Sequence, residues 1–387
     1  MSKRQRGRWD DEDEDGGRSA PPPPLPPSSS AAAAPAEIKS SPSPSSVAAS
    51  HNPLLHGCRN VDAFERLNKI DEGTYGVVFR ARDKATGRVV ALKRVKIPKQ
   101  QAREGFPITA LRETNVLLAL QHESIVGVRE MAVEPTPDGG FKVYMVMDYW
   151  EHELRALMEA MPEPFSQGEV KCLMKQLLSA VAYMHRRWYI HRDLKTANLL
   201  YNGRGQLAVC DFGLARKYDE PVGKYTALVV TLHYRAPELL LGAPTYSTAL
   251  DMWSVGCIFC ELLLKRTLLP GRGELDQLDR IWRLLGTPTE SRWPGFLDLP
   301  NARNVKWKVQ PKNKLRELLP KTSVIGGPYL SDHGFDLANR LLEFNPERRI
   351  TAQEALEHPW FEEFPPPQSR ELMPSFAKVK AQREARR

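Results

Sequence analysis

Between residues 64 and 95, apolar positions recur in three short runs, 64–70, 75–81 and 89–95, with turn residues at Gly73 and Gly87. Short runs bounded by turn residues read as strands. The period then changes. Residues 108–119 read as a helix, and two further strand-like runs, 124–131 and 143–149, flank a turn-rich insert at 135–140. This pattern predicts a small, mainly antiparallel sheet carrying one helix. Beyond residue 151 the spacing is helical. Over 167–185, Val170, Leu173, Leu177, Ala180, Val181 and Met184 recur on one helix face. Further helices are predicted over 248–264, 274–285, 336–344 and 352–357, with Pro288 and Pro346 just past two of them as stop signals. The expected class is α+β, a β-rich region followed by a larger helical one.

The flanks have a different composition. Lys3, Arg4, Arg6 and Arg8 precede the acidic block 10–15, and then come proline, serine and alanine runs. Residues 1–55 therefore have little apolar surface to offset ordering entropy and are expected to be disordered. The basic start reads equally as a nuclear-import signal or a solvated tail, and Ser41 and Ser43, each before proline, are candidate phosphorylation sites. Residues 366–387, Pro-rich and then basic, are expected to form a loose C-terminal tail. A chain of 387 residues, 41% hydrophobic, can hold two domains or one large two-lobed domain. The formal charge of +8 comes from 55 basic residues interleaved with 47 acidic ones, so no direct nucleic-acid partner is expected. Cys58, Cys172, Cys210, Cys257 and Cys260 are few and scattered, which fits free thiols in a reducing compartment. Cys257 and Cys260 form a C-x-x-C, but inside an apolar stretch, where buried helix residues are the better reading. With no signal peptide and no apolar run of about 18 residues, the protein is expected to be soluble and intracellular, with no membrane contact.

The chemistry is concentrated in the run from Tyr189 to Asn198, Tyr-Ile-His-Arg-Asp-Leu-Lys-Thr-Ala-Asn, followed by Asp211-Phe212-Gly213. Phosphoryl transfer needs these groups at this spacing: Asp193 as base, Lys195 to neutralise the γ-phosphate, and Asn198 and Asp211 to hold Mg²⁺. Upstream, Glu72, Gly73, Thr74, Tyr75, Gly76, Val77 and Val78 join two strand-like runs, and glycines there let backbone N–H groups approach phosphates. Asp71 stands where a first glycine is expected, so this loop taken alone reads equally as a hairpin turn. Lys93, in Val-Ala-Leu-Lys, sits where a strand lysine contacts the α/β-phosphates, and Glu113 on the next helix is its candidate partner.

With these residues in order, 62–365 resembles a eukaryotic protein kinase, and more narrowly the cyclin-dependent kinases. Ala236-Pro237-Glu238 resembles the end of the activation segment, 251–256 (Asp-Met-Trp-Ser-Val-Gly) the central helix of the larger lobe, and Arg349 the arginine that pairs with the Ala-Pro-Glu glutamate. Residues 107–113, Pro-Ile-Thr-Ala-Leu-Arg-Glu, are similar to the cyclin-binding helix of the PITSLRE branch, with Ala110 for its serine. The neighbouring PISSLRE branch is also similar across 191–198.

The resemblance implies a bilobal fold: a small β-rich N-lobe at 62–147, a hinge at 148–153 and a larger helical C-lobe at 154–365. It implies ATP and Mg²⁺ as cofactors, with Ala91 and the gatekeeper Met147 near adenine, hinge backbone from Asp148 and Trp150, and Glu153 at the ribose. It implies an activating phosphothreonine at Thr226, made by an activating kinase and bound by Arg112, Arg192 and Arg216, and inhibitory sites at Thr74 and Tyr75. Lys195, two after the base, resembles the Ser/Thr-specific pattern. A strained backbone at Val230 is expected to favour Ser/Thr-Pro substrates. The implied partners are a cyclin, L-type by resemblance, and regulatory proteins as substrates, with a nuclear role in transcription, splicing or the cell cycle; the cytoplasm is the other candidate location. A mitogen-activated-type kinase and a kinase-fold scaffold are the rival readings. Asp71, Trp150 and His233 (in Thr-Leu-His-Tyr-Arg, where Trp is usual) depart from the pattern without removing a catalytic group.

Overall fold

A computed structural model of the chain describes residues 57–73, 76–95, 108–137, 140–218, 230–245, 247–303, 308–322 and 328–375. The first part comprises β1 (Arg59–Asn60), β2 (Phe64–Gly73), β3 (Gly76–Asp83), β4 (Val89–Val95), α1 (Ile108–Ala119), β5 (Val128–Pro135) and β6 (Phe141–Asp148). Among the described residues these strands form one sheet in the order β1-β5-β6-β4-β3-β2, antiparallel except where β1 pairs parallel to β5. Alternation along β6 sorts its side chains: Tyr144 and Val146 join a small cluster with Phe64, Val90 and Leu92, while Val143, Met145 and Met147 face the main core.

The second part is mainly helical. It comprises β7 (His152–Glu153), α2 (Leu154–Ala160), α3 (Gln167–Arg186), β8 (Tyr189–Ile190), β9 (Leu199–Tyr201), β10 (Leu207–Val209), β11 (Arg216–Lys217), α4 (Pro237–Leu240), α5 (Ala249–Leu264), α6 (Glu274–Leu285), α7 (Leu315–Leu318), α8 (Asp332–Leu341) and α9 (Ala352–Leu356). A capping box opens α3: Ser166 Oγ accepts from Glu169 N, and the Glu169 carboxylate accepts from Ser166 N. Helix α5 is apolar nearly all round and buried along almost its whole length, as such a helix must be. Cys257 and Cys260 lie within it as buried free thiols, and burial pushes the Cys260 thiol up to about 12. No described helix is long and apolar enough to cross a membrane.

The structure departs from the sequence pattern in four places. The strand expected at 124–131 is β5, at Val128–Pro135; residues 124–126 instead bond to β10, with Val126 N donating to Val209 O and Val209 N to Ser124 O. The helix expected at 336–344 is α8, which starts earlier because Ser331 caps it by accepting from Gly334 N. The sheet begins before residue 62: Arg59 on β1 pairs with Glu130 at 2.6 Å and Asp83 at 3.2 Å. Lastly, the tail expected to be loose from residue 366 is a fastened strap as far as Ser375. Fully buried Lys171 donates to the carbonyls of Glu363 and Pro365, Gln368 N to Gly168 O, and buried Tyr201 Oη to Pro374 O. Met373 is buried. The strap crosses Gly205 at φ +70°, where a Cβ would meet Arg370 O at 2.1 Å. Composition alone misleads here, because the strap is held by its backbone carbonyls.

Candidate active site

Strand β4 carries Lys93 and α1 carries Glu113, and the two meet with Nζ to Oε1 at 2.5 Å, both nearly buried. Burial pulls the Lys93 ammonium down, but the nearby charges of Glu113 and Asp211 outweigh it, and its pKa stands above the ordinary lysine value. Lys93 Nζ is also 3.9 Å from Asp211 Oδ1, too far for a hydrogen bond. That buried carboxylate oxygen has no hydrogen-bond partner among the described residues. A buried orphan oxygen of this kind is what a divalent cation satisfies.

The turn 191–198 is pinned from below by Asp251 of α5. Its carboxylate accepts from His191 N and Arg192 N, each at 2.9 Å, and lies 2.9 Å from His185 Nε2. Phe212 packs edge-on against the His191 ring, centroids 4.8 Å apart, and His191 Nε2 lies 3.0 Å from Cys210 O. The triplet after Cys210 is thereby docked onto the turn. Asp193 sits in a cage of donors. Thr231 N (3.1 Å) and Thr231 Oγ1 (2.7 Å) bond its Oδ1, while Lys195 Nζ (2.7 Å) and Asn198 Nδ2 (3.1 Å) bond its Oδ2. Burial pushes the Asp193 carboxyl up, but Lys195 and Thr231 more than offset it and hold it below the usual carboxylate range. Asn198 Nδ2 also donates to Asp193 O at 2.8 Å, so its amide oxygen is the atom that could accept from or coordinate another group.

Lys93, Asn198 and Asp211 open on a cleft of about 250 Å³ between the sheet and the helical part; Glu113, Asp193 and Lys195 do not line it and are bonded to Lys93, Asn198 and Asp193 respectively. Of the residues anticipated from sequence, Asp71, Gly76, Val78, Ala91, Lys93, Met147, Asp148, Trp150, Glu153, Asn198 and Asp211 line it. Gly76 has φ +151°, and a Cβ there would strike Arg94 O at 2.2 Å, so only glycine lets the backbone come this close to the strand. Val77 is buried and does not line the cleft, because its side chain leaves the opposite face of β3 from Val78. Glu72 and Gly73 close β2. Thr74, Tyr75 and Thr226 lie outside the described residues, as does the side chain of Arg112. Arg192 Nε donates to Leu214 O at 2.6 Å, and Arg216 on β11 faces Ile190 across a two-stranded ladder. With Thr226 and the Arg112 side chain outside the described residues, the anticipated cluster of the three arginines lies partly outside them as well. Burial raises the Glu153 carboxyl, helped by the negative charge of Asp71, the residue that replaces the loop glycine.

Sequence reasoning missed Leu200 and Cys210, which line the cleft beside Asn198 and Asp211, and Thr231, which bonds the Asp193 carboxylate. Thr231 had one signal, its neighbour Val230. That valine takes φ +78°, and its carbonyl accepts from Arg235 Nη2 at 2.9 Å. Arg349 forms the anticipated buried ion pair with Glu238, at 2.7 Å.

Residues 64–361 match the protein kinase domain family. Cyclin-dependent kinase G-2 of Oryza sativa subsp. indica is 56% identical over 342 residues, 88% of this chain and 47% of its own length. Cyclin-dependent kinase 11B of Rattus norvegicus is 52% identical over 324 residues, 84% of this chain and 72% of its own length. This chain belongs to the cyclin-dependent kinase family of protein kinases. Cyclin-dependent kinase G1 of Arabidopsis thaliana is similarly close, at 52% over 325 residues, 84% of this chain and 53% of that one. The chain spans about half the length of the curated rice relatives it matches. Membership accounts for the anticipated β-rich and helical parts and for the likeness to the PITSLRE branch.

Proposed function

We propose that the protein transfers the γ-phosphoryl group of ATP to a serine or threonine hydroxyl of a protein substrate, and that it does so bound to a cyclin. The observation carrying this reading is that Lys93, paired with Glu113, lines one cleft with Asp211, whose Oδ1 has no hydrogen-bond partner among the described residues, and with Asn198, which bonds the caged Asp193. Asp211 and the amide oxygen of Asn198 would hold Mg²⁺, which when bound neutralises phosphate charge. Asp193 takes the hydroxyl proton; a carboxyl held below its usual range is ionised and ready at neutral pH. Lys195, bonded to that carboxylate, puts a positive charge beside the point of transfer. Lys93 orients phosphates, and Glu113 orients Lys93.

Glu113 rides on α1, so a partner packed on α1 governs the Lys93–Glu113 pair. The relatives are named for cyclin dependence, and the Pro-Ile-Thr-Ala-Leu-Arg-Glu helix favours an L-type cyclin. Thr226 is the proposed activating phosphosite, with Thr74 and Tyr75 as inhibitory ones. The basic residues 3–8 support a nuclear location. Because Val230, at φ +78°, turns its carbonyl to Arg235, the N–H that follows a substrate's phosphoacceptor is left without that acceptor. Proline has no N–H to leave unpaired. An orphan donor costs roughly 1–3 kcal/mol, so Ser/Thr-Pro is favoured about ten- to a hundredfold. The test is a peptide assay on the full chain, alone and with L-type cyclin. Turnover that needs the cyclin and prefers Ser-Pro to Ser-Ala is expected. Full activity without cyclin, or equal rates on both peptides, contradicts the corresponding part.

A further inference from the structure

Two single helical turns face each other at this site. Thr196–Asn198 follows the base, and Leu232–Tyr234 follows Thr231. An upper rung joins them: Thr231 N and Oγ1 bond Asp193, and Lys195 Nζ lies 3.1 Å from Thr231 Oγ1. A second rung lies beneath, among residues to which the sequence assigned no role. Thr196 Oγ1 is 3.2 Å from Tyr234 Oη and 3.4 Å from Glu261 Oε1, and Tyr234 Oη donates to Glu261 Oε2 at 2.5 Å. Thr196, Tyr234 and Glu261 are at most 4% exposed. Glu261 comes from α5, the helix that also supplies Asp251 under the first turn and Ser254, whose Oγ donates to Tyr234 O at 3.0 Å.

We propose that Thr196 is a positioning residue: its hydroxyl, bonded to Tyr234 and Glu261, sets the spacing between the turn that carries the base and the turn that carries Thr231. The proposal rests on the phosphoryl-transfer reading above and adds a determinant of its rate. The upper rung is made by side chains at the mouth of the site, where Lys195 and Asp193 meet substrate. The lower rung is buried, so it holds the two turns in register whether or not the upper groups are engaged. Burial raises the Glu261 carboxyl, opposed by its bonds from Tyr234 and Thr196, so the rung has at its foot a buried acid that needs both hydroxyls. The plain alternative is that Thr196 only fills polar space and matters to stability alone.

Thr196→Val keeps the shape and removes the hydroxyl, Thr196→Ser keeps the hydroxyl, and Tyr234→Phe removes the same rung from the opposite turn. Each is made in the full chain and assayed with cyclin beside wild type. The lost hydrogen bond should cut kcat about tenfold in the valine and phenylalanine variants, with KM for ATP unchanged. Serine should restore most of the rate. Amide exchange at Thr231 should quicken in the valine variant and return to the wild-type rate in the serine one. Wild-type kcat and wild-type Thr231 exchange in Thr196→Val overturn the proposal. So does a serine variant as slow as valine. A wild-type complex with no turnover defeats the kinase reading instead, and Thr231 exchange then still decides whether the rung exists.

Discussion

Asp251 shows how much of this site is set by one residue that touches no substrate. Its carboxylate is buried and serves His185 and the backbone N–H groups of His191 and Arg192. Burial alone raises such a group, but His185 and the backbone donors more than offset it, so its pKa lies below the ordinary value. A folded pKa below the unfolded value of about 3.9 means the stabilisation is complete above that pH and is lost as pH falls through the folded value. Asp251→Asn should therefore lose about 3 kcal/mol at neutral pH, and the gap from wild type should narrow below about pH 4. Denaturant melts across that range measure it; a gap constant with pH would show that the charge plays no part. Asp193, Lys195 and Asn198 were legible because they stand at fixed local spacing. Thr231 and Glu261 were not, because they reach the same turn from 38 and 65 residues away.

At the scale of elements, legibility followed the strength of the local signal. Helix α3 pairs a long apolar period with a capping box and ends within a residue of its expected end. Strand β5 was misplaced because Ile125 and Val126 are apolar for another reason: they are buried in the main core, and the backbone of residues 124–126 bonds to β10. The strap after residue 363 has no period at all. Its hold comes from buried Lys171 and Tyr201 reaching backbone carbonyls and from the burial of Met373. The Arg370–Glu123 pair adds little, since exposed pairs contribute about 0–1 kcal/mol. Deleting residues 364–387 should lower the melting temperature well beyond the effect of Arg370→Ala, because burying one Met side chain contributes roughly 1.5–3 kcal/mol, and buried Tyr201 loses its acceptor and Lys171 one of its two. Equal melting of the full and shortened chains would mean that the strap merely lies on the surface.

In the whole molecule, two parts with different sequence periods enclose one cleft. The sheet brings Lys93 and α1 brings Glu113, while the helical part brings Asp193, Asn198 and Asp211. The architecture was readable where the patterns are long; the short strands β7–β11 among the helices were not. The conformation at Thr74, Tyr75 and Thr226 was not readable from composition, and these positions lie outside the described residues. We propose that this cleft transfers phosphoryl groups with Asp193 as the base. The most direct measurement is peptide phosphorylation, read by mass spectrometry, with the full-length chain co-purified with its cyclin, comparing wild type with Asp193→Asn. Wild type should phosphorylate a Ser-Pro peptide, and the variant should still bind ATP while its kcat falls at least ~10²-fold, the usual scale for a positioned base. A variant that turns over as fast as wild type, with contaminating kinase excluded, would contradict the account.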